Sequence, residues 1–289
     1  MILNKKTIYF SLLTLLAISL ILGIIILALK KNDQLTVSFL NVGQGDAILI
    51  ANGNQQVLID AGRNGKIVLE KLGQVMPFWD RKIEALIITH PDADHYGGVA
   101  EIVDSYKIEN IIKTTATNNS GEWMNLMEKI KNRQINNLTA SWGSTLVFPA
   151  GAKLQIIYPF TNVSPELKDK NDTSVVTKLV FGENEFIFTG DLSEDGEKDL
   201  LNSDLDLQAD FLKIGHHGSK SSSSAEFLNK VKPQDAIISV GKSNSYGHPH
   251  KEVTDDLKNR LIRIWRTDQD GNVSYNCKNI QSICQPMGQ

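Results

Sequence analysis

No charged residue occurs between Thr7 and Leu29, a run built almost entirely of Leu, Ile, Ala and Phe. Its 23 residues are long enough to cross a bilayer as a helix. Ala28-Leu29-Lys30 offers no small-x-small cleavage site and no cysteine lies near for a lipid anchor, so the expectation is an uncleaved signal anchor. Internal repeats are also absent, which removes solenoid and propeller architectures. Basic residues are in short supply. Four of the 30, Lys5, Lys6, Lys30 and Lys31, flank the apolar run, leaving 26 against 33 acidic residues, a balance near −7. That excludes a surface built for tight, non-specific nucleic-acid binding. Any affinity for phosphate must then be focused at one spot.

Lysine pairs stand at both ends of the apolar run, so the charge rule barely discriminates its orientation. There are only two cysteines, Cys277 and Cys284. Seven residues apart, they either close a small disulfide loop, which persists in an oxidising compartment, or remain free thiols. The arrangement preferred here is a single-pass cell-membrane protein with its C-terminal part outside. With 41% hydrophobic and 22% charged residues, 289 residues suit one large α/β domain or two small ones. The expected division is an anchor at 7–29, a linker at 30–34, a domain at 35–276 and a tail at 277–289.

The chemistry is concentrated between Ile83 and Val99. A short apolar strand, Ala85 to Ile88, runs into His90, Asp92, Asp94 and His95, and Gly97-Gly98 precede a helix. Pro91 disfavours helical geometry at His90, so these groups lie on a loop and can converge. Carboxylates this close repel one another unless a cation sits between them. Other strand ends also deliver polar groups: Asp191 after EFIFTG, His216 and His217 after DFLKIG, and His248 on the loop after QDAIISVG. Several such ends in one chain make a shared site the economical account. Asp60, ending a hairpin, is either the partner that orients a metal-bound histidine or a plain turn aspartate. Ser219 and Ser221 are either phosphate contacts or part of a serine run that starts a helix, with Ser223 and Glu226 fitting a capping box. Lys213, Lys220 and Lys242 read by default as surface lysines. The segment LIRIWRTDQDGNVSYN reads as a terminal hairpin turning at Asp270-Gly271.

THPDADHYGG resembles the H-x-H-x-D-H signature of the metallo-β-lactamase fold, with Asp92 in place of the second histidine. Together with LNVGQGDA, VLIDAG, FTGDL, LKIGHHGS and SYGHPH in that order, it resembles the hydrolase domain of ComEC-type competence proteins. The resemblance runs from Leu35 to Ser274. It implies a four-layer αβ/βα sandwich, preceded here by one transmembrane helix, and two divalent metal ions. His90, Asp92 and Asp191 would hold one ion; Asp94, His95, Asp191 and His217 would hold the other, with Asp191 bridging. His217 is preferred to His216 because it adjoins Gly218. No histidine lies between His95 and His216, and Asn171 with its neighbours occupies that part of the chain. Asn171 and His216 are therefore read as residues supporting the ligands. Asp92 hardens the site, which makes manganese a rival to zinc.

The implied reaction is attack of a metal-bound hydroxide on a phosphodiester, with Asp94 and His248 as catalytic residues and His248 binding phosphate or protonating the leaving oxygen. DNA, more so when single-stranded, or a similar polyanion is the implied partner, alongside a DNA-uptake machinery. Two other readings stay open: a metallo-hydrolase of another ester, lactone or choline phosphoester of the cell envelope, and a non-catalytic DNA-binding competence factor.

Overall fold

The structure, a computed structural model, describes residues 4–29, 34–163 and 169–287. All but Gln34 of the expected linker lies outside them. The chain divides into two compact units near residue 32. The first holds helix α1 (Lys5–Leu29), which is long and apolar enough over Lys5–Gly23 to cross a membrane. Two of its hydroxyls bond to the preceding turn: Ser11 Oγ donates to the Thr7 carbonyl at 3.0 Å and Thr14 Oγ1 to that of Phe10 at 2.7 Å.

In the second unit, strands β1 (Leu35–Phe39), β2 (Ile48–Asn52), β3 (Gln55–Ile59), β4 (Lys82–Ile88), β5 (Lys107–Lys113) and β6 (Asn136–Thr139) form most of one sheet. Strands β7 (Thr145–Val147), β8 (Lys153–Tyr158), β9 (Val176–Phe181), β10 (Asn184–Phe188), β11 (Phe211–Lys213), β12 (Asp235–Ile238) and β13 (Arg263–Arg266) form the other. Strands β14 (Val273–Cys277) and β15 (Gln285–Pro286) return to the first sheet, where β14 pairs antiparallel with β1. The β-branched and aromatic residues on the facing sides, among them Val37, Ile50, Val57, Phe186, Phe188, Phe211 and Tyr275, make a continuous apolar layer between the sheets.

Helices cover the outer faces. Against the first sheet, α2 (Gly65–Val75), the short α3 (Ala93–Tyr96), α4 (Val99–Ser105) and α5 (Gly121–Asn132) bury Val68, Leu72, Ile102, Trp123 and Leu126. Against the second, α6 (Glu194–Leu201), α7 (Ala225–Val231) and α8 (Lys251–Asn259) bury Leu200, Phe227, Leu228 and Leu257. The result is the four-layer α/β sandwich that the motifs implied.

Two expectations need correction. The terminal segment is not a hairpin: β13 pairs with β12 in one sheet and β14 with β1 in the other, and the short helix α9 (Thr267–Asp270) makes the crossing. Asp235 ties the two ends together, accepting from Arg263, from Trp265 Nε1 at 3.0 Å and from the Tyr275 hydroxyl. Helix α7 is capped by Ser224, whose side chain accepts from Phe227 N–H; Ser223 is in left-handed backbone and its hydroxyl instead accepts from Gly215 N–H. All four residues of strand β6 are exposed, so the sequence carries no hydrophobic alternation there. Cys277 and Cys284 are joined as a disulfide.

Candidate metal centre

Strands β3, β4 and β5 run parallel in one sheet and β10, β11 and β12 in the other. Their carboxyl ends bring Asp60, His90, Asp191, His216 and His217 to one edge of the sandwich. Side chains far apart in sequence thus come within a few ångströms of one another. His95 Nε2 and His217 Nε2 each lie 3.3 Å from Asp191 Oδ2, and His217 Nε2 lies 3.3 Å from Asp94 Oδ2. The rings of His90 and His95 are 4.1 Å apart between centroids. All are buried or nearly so, except the partly accessible Asp94.

Hydrogen bonds on the far side of each ring decide what faces inward. His217 Nδ1 lies 2.9 Å from the Ser239 carbonyl, which only accepts, so the proton is on Nδ1. His95 Nδ1 lies 2.7 Å from the Asp60 carboxylate. Thr89 Oγ1 donates its one proton to Asp60 Oδ2 at 2.7 Å and must therefore accept from His90 Nδ1 at 3.1 Å. In this tautomer pattern all three Nε2 atoms turn lone pairs into the site. All three are buried without a hydrogen-bond partner. Orphaned acceptors converging with carboxylates are a donor set that fits divalent metal. Two triplets have one ligand atom each within mutual reach: His90, His95 and Asp191, and Asp94, His95 and His217.

The charges are interlocked. Burial works against ionising Asp191, but His217, His95 and Lys213 hold its carboxyl well below the usual range. Burial also opposes charge on His217, yet Asp191 and Asp94 bring it up to about 9. Burial and the nearby His95 push His90 well down. Burial opposes charge on His95 as well, but Asp191 and Asp60 raise it well above its usual value, so protons on His95 and His217 balance the carboxylates wherever no metal does, and metal binding must release them.

The GHHG turn has an unusual backbone. His216 (φ 48°) and His217 (φ 56°) are both left-handed, which costs about 1–3 kcal/mol each for residues with side chains. The turn sends His217 inward and leaves His216 on the rim, its Nε2 3.9 Å from Asp191 Oδ2 and its Nδ1 near Ser221 Oγ and Asn171. Asp92 is also on the rim, with Oδ2 3.9 Å from His90 Nε2 and Oδ1 3.6 Å from Lys170 Nζ. Ser219 and Ser221 bond to each other at 3.0 Å. A cleft of about 140 Å³ opens here, lined by Gln44, Asp92, Asp94, Asn171, Tyr246 and His248 among others. Burial, then the neighbouring His216 and His217, lowers His248 to about 4.

Two residues escaped the sequence reading. Lys213 is not on the surface; it is fully buried, 2.7 Å from Asp46 Oδ2 and 3.6 Å from Asp191 Oδ1. Asp46 shows in the sequence only as the acid of LNVGQGDA. The one available signal was Lys213 itself, the single charge inside the apolar stretch FLKIG. Gly45 explains the turn: at φ 119° it passes so close to the Asp94 carbonyl that a Cβ would lie 2.0 Å away.

The signature of the metallo-beta-lactamase superfamily matches residues 40–242. The chain belongs to that superfamily. Members of the metallo-beta-lactamase superfamily are generally hydrolases, and the fold typically binds divalent metals. Among relatives of this superfamily chain, ComE operon protein 3 of Bacillus subtilis is 33% identical over 84% of the chain, covering 33% of the relative. Competence protein ComA of Neisseria gonorrhoeae is 28% identical over 86% of the chain and 33% of the relative. The chain therefore spans about a third of the length of these relatives. The metallo-beta-lactamase fold protein YhfI of Bacillus subtilis superimposes with a TM-score of 0.56 at 12% identity, over 84% of this chain and all of that one.

Proposed function

We propose that the protein is a membrane-anchored, metal-dependent phosphodiesterase that cleaves DNA outside the cell. The observation that carries this reading is the set of three inward-facing Nε2 atoms converging with Asp191 and Asp94 beside an open cleft. His90, Asp92, Asp94, His95, Asp191 and His217 would hold two divalent ions, of zinc or manganese. When bound, such ions provide Lewis acidity and a water that ionises near neutral pH.

The chain's own residues do the rest. Asp60, Thr89 and the Ser239 carbonyl hold a proton on each Nδ1, so that Nε2 is the atom each ring can offer to a metal. Three carboxylates against two dications leave a net charge of about +1 for a phosphodiester monoanion. With its pKa near 4, His248 is neutral at pH 7 and suited to hydrogen-bond a phosphate oxygen on the cleft wall. The competence names of the relatives support DNA as the substrate and a DNA-uptake machinery as the setting. The Cys277–Cys284 disulfide and helix α1 support an anchored domain on the oxidising side.

The test is cleavage of labelled single- and double-stranded DNA by the full chain with zinc or manganese, beside a small chromogenic phosphodiester. Metal-dependent DNA cleavage is expected, faster on single strands. Turnover of the chromogenic ester alone would point to an envelope phosphoester, and DNA binding without cleavage to a receptor.

A further inference from the structure

Asp191 uses its two oxygens differently. Oδ2 is the oxygen paired with His95 and His217, at 3.3 Å each, and with His216, at 3.9 Å, whereas Oδ1 is the one paired with Lys213 Nζ, at 3.6 Å. The Lys213 ammonium is wholly buried. It donates to the Gly190 carbonyl at 2.8 Å and is paired with Asp46 Oδ2 at 2.7 Å. The second oxygen of Asp46 lies 3.5 Å from His217 Nδ1. Asp46, Lys213 and Asp191 thus form a buried chain of alternating charge that ends at the carboxylate shared by the histidines. A lysine in the interior opposes the approach of dications unless a nearby anion offsets it. Asp46 is that anion, and the Asp46–Lys213 pair adds no net charge.

We propose that Lys213, held by Asp46, is a positioning residue that keeps Asp191 Oδ1 out of the metal site, so that Asp191 meets the cations through Oδ2 alone. The inference rests on the metal-centre reading given above. It predicts opposite responses from the two partners. In Lys213→Met, a side chain of similar volume leaves Asp46 unpaired and frees Asp191 to chelate with both oxygens. Metal then binds more tightly, but the carboxylate is wrongly placed. In Asp46→Asn, the unpaired ammonium weakens metal binding by about tenfold or more.

The experiment is calorimetric titration of Zn²⁺ and visible spectroscopy of Co²⁺ on the full chain in detergent, with circular dichroism as the folding control. Lys213→Met is expected to bind Zn²⁺ at least about threefold more tightly. Its Co²⁺ absorption should weaken, as higher coordination requires, and kcat for the chromogenic phosphodiester should fall with little change in KM. Asp46→Asn is expected to bind Zn²⁺ more weakly, with adding Lys213→Met restoring affinity. A structural role alone would weaken binding in both variants. Equal or weaker affinity in Lys213→Met with an unchanged Co²⁺ spectrum overturns the proposal. If Asp46→Asn does not fold, Lys213→Met alone decides. Wild-type protein that binds neither ion overturns the metal centre itself, a result separate from failure of the variants.

Discussion

Replacing Asp60 with asparagine tests how the site chooses its ligand atoms. The change keeps the volume but alters which atoms can donate. Asp60 Oδ1 accepts Thr89 N–H at 2.8 Å, and that buried donor must stay satisfied. The asparagine carbonyl therefore takes the place of Oδ1, and its NH₂ group takes that of Oδ2. Two things follow. His95 Nδ1, now facing a donor, gives up its proton, which moves to Nε2, the atom 3.3 Å from Asp191. The Thr89 hydroxyl loses its acceptor and is free to donate to His90 Nδ1, which sends that ring's proton to Nε2 as well. One substitution thus turns N–H bonds toward the cation site on two rings. Loss of a partner that orients a ligand costs about 10- to 100-fold in metal affinity, which is about 1.4–2.7 kcal/mol. Titration calorimetry of Zn²⁺ and Mn²⁺ into wild type and Asp60→Asn measures this directly, and the metal-induced rise in Tm provides a second readout. Wild-type affinity in the variant would refute the tautomer argument.

Further tests reach other parts of the molecule. Asp191→Ala should abolish hydrolysis and leave the circular dichroism spectrum intact; wild-type turnover would show that Asp191 is not the shared carboxylate. Asp235→Ala removes the acceptor for Arg263, Trp265 and Tyr275 and should destabilise the domain by about 3–5 kcal/mol in urea unfolding; a loss under about 1 kcal/mol would show that the cluster does not hold the sheets together. Burial, partly offset by the N–H groups of Ser223 and Ser224, pushes Glu197 up to about 7 from an ordinary value of 4.5. The folded state therefore takes up this proton more readily than the unfolded chain. The resulting stability, about 3 kcal/mol, is complete below pH 4.5 and lost as pH rises through about 7. Unfolding of wild type and Glu197→Gln at pH 5 and pH 8.5 isolates it; equal pH dependence in the two proteins would assign the effect elsewhere.

Local pattern carried much of this protein into view from the sequence alone. The uncharged run before residue 30, the strand that ends at His90, the pairing of carboxylates and imidazoles over 90–95 and the later ends at Asp191 and His217 all depend on neighbours within a few residues. Apolar periodicity and ligand spacing record such neighbours. Tertiary structure decided whatever depends on a distant partner. Lys213 reads as a surface lysine until Asp46 arrives from the other sheet to neutralise it, because a buried ammonium is tolerated only when paired. His217 and His216 share a composition and a turn, and only the Ser239 carbonyl, just past the end of β12, shows which ring is locked inward. The terminal segment has the residues of a hairpin. It crosses between sheets instead, because Tyr275 and Asp235 meet across the core, a contact that no local rule encodes.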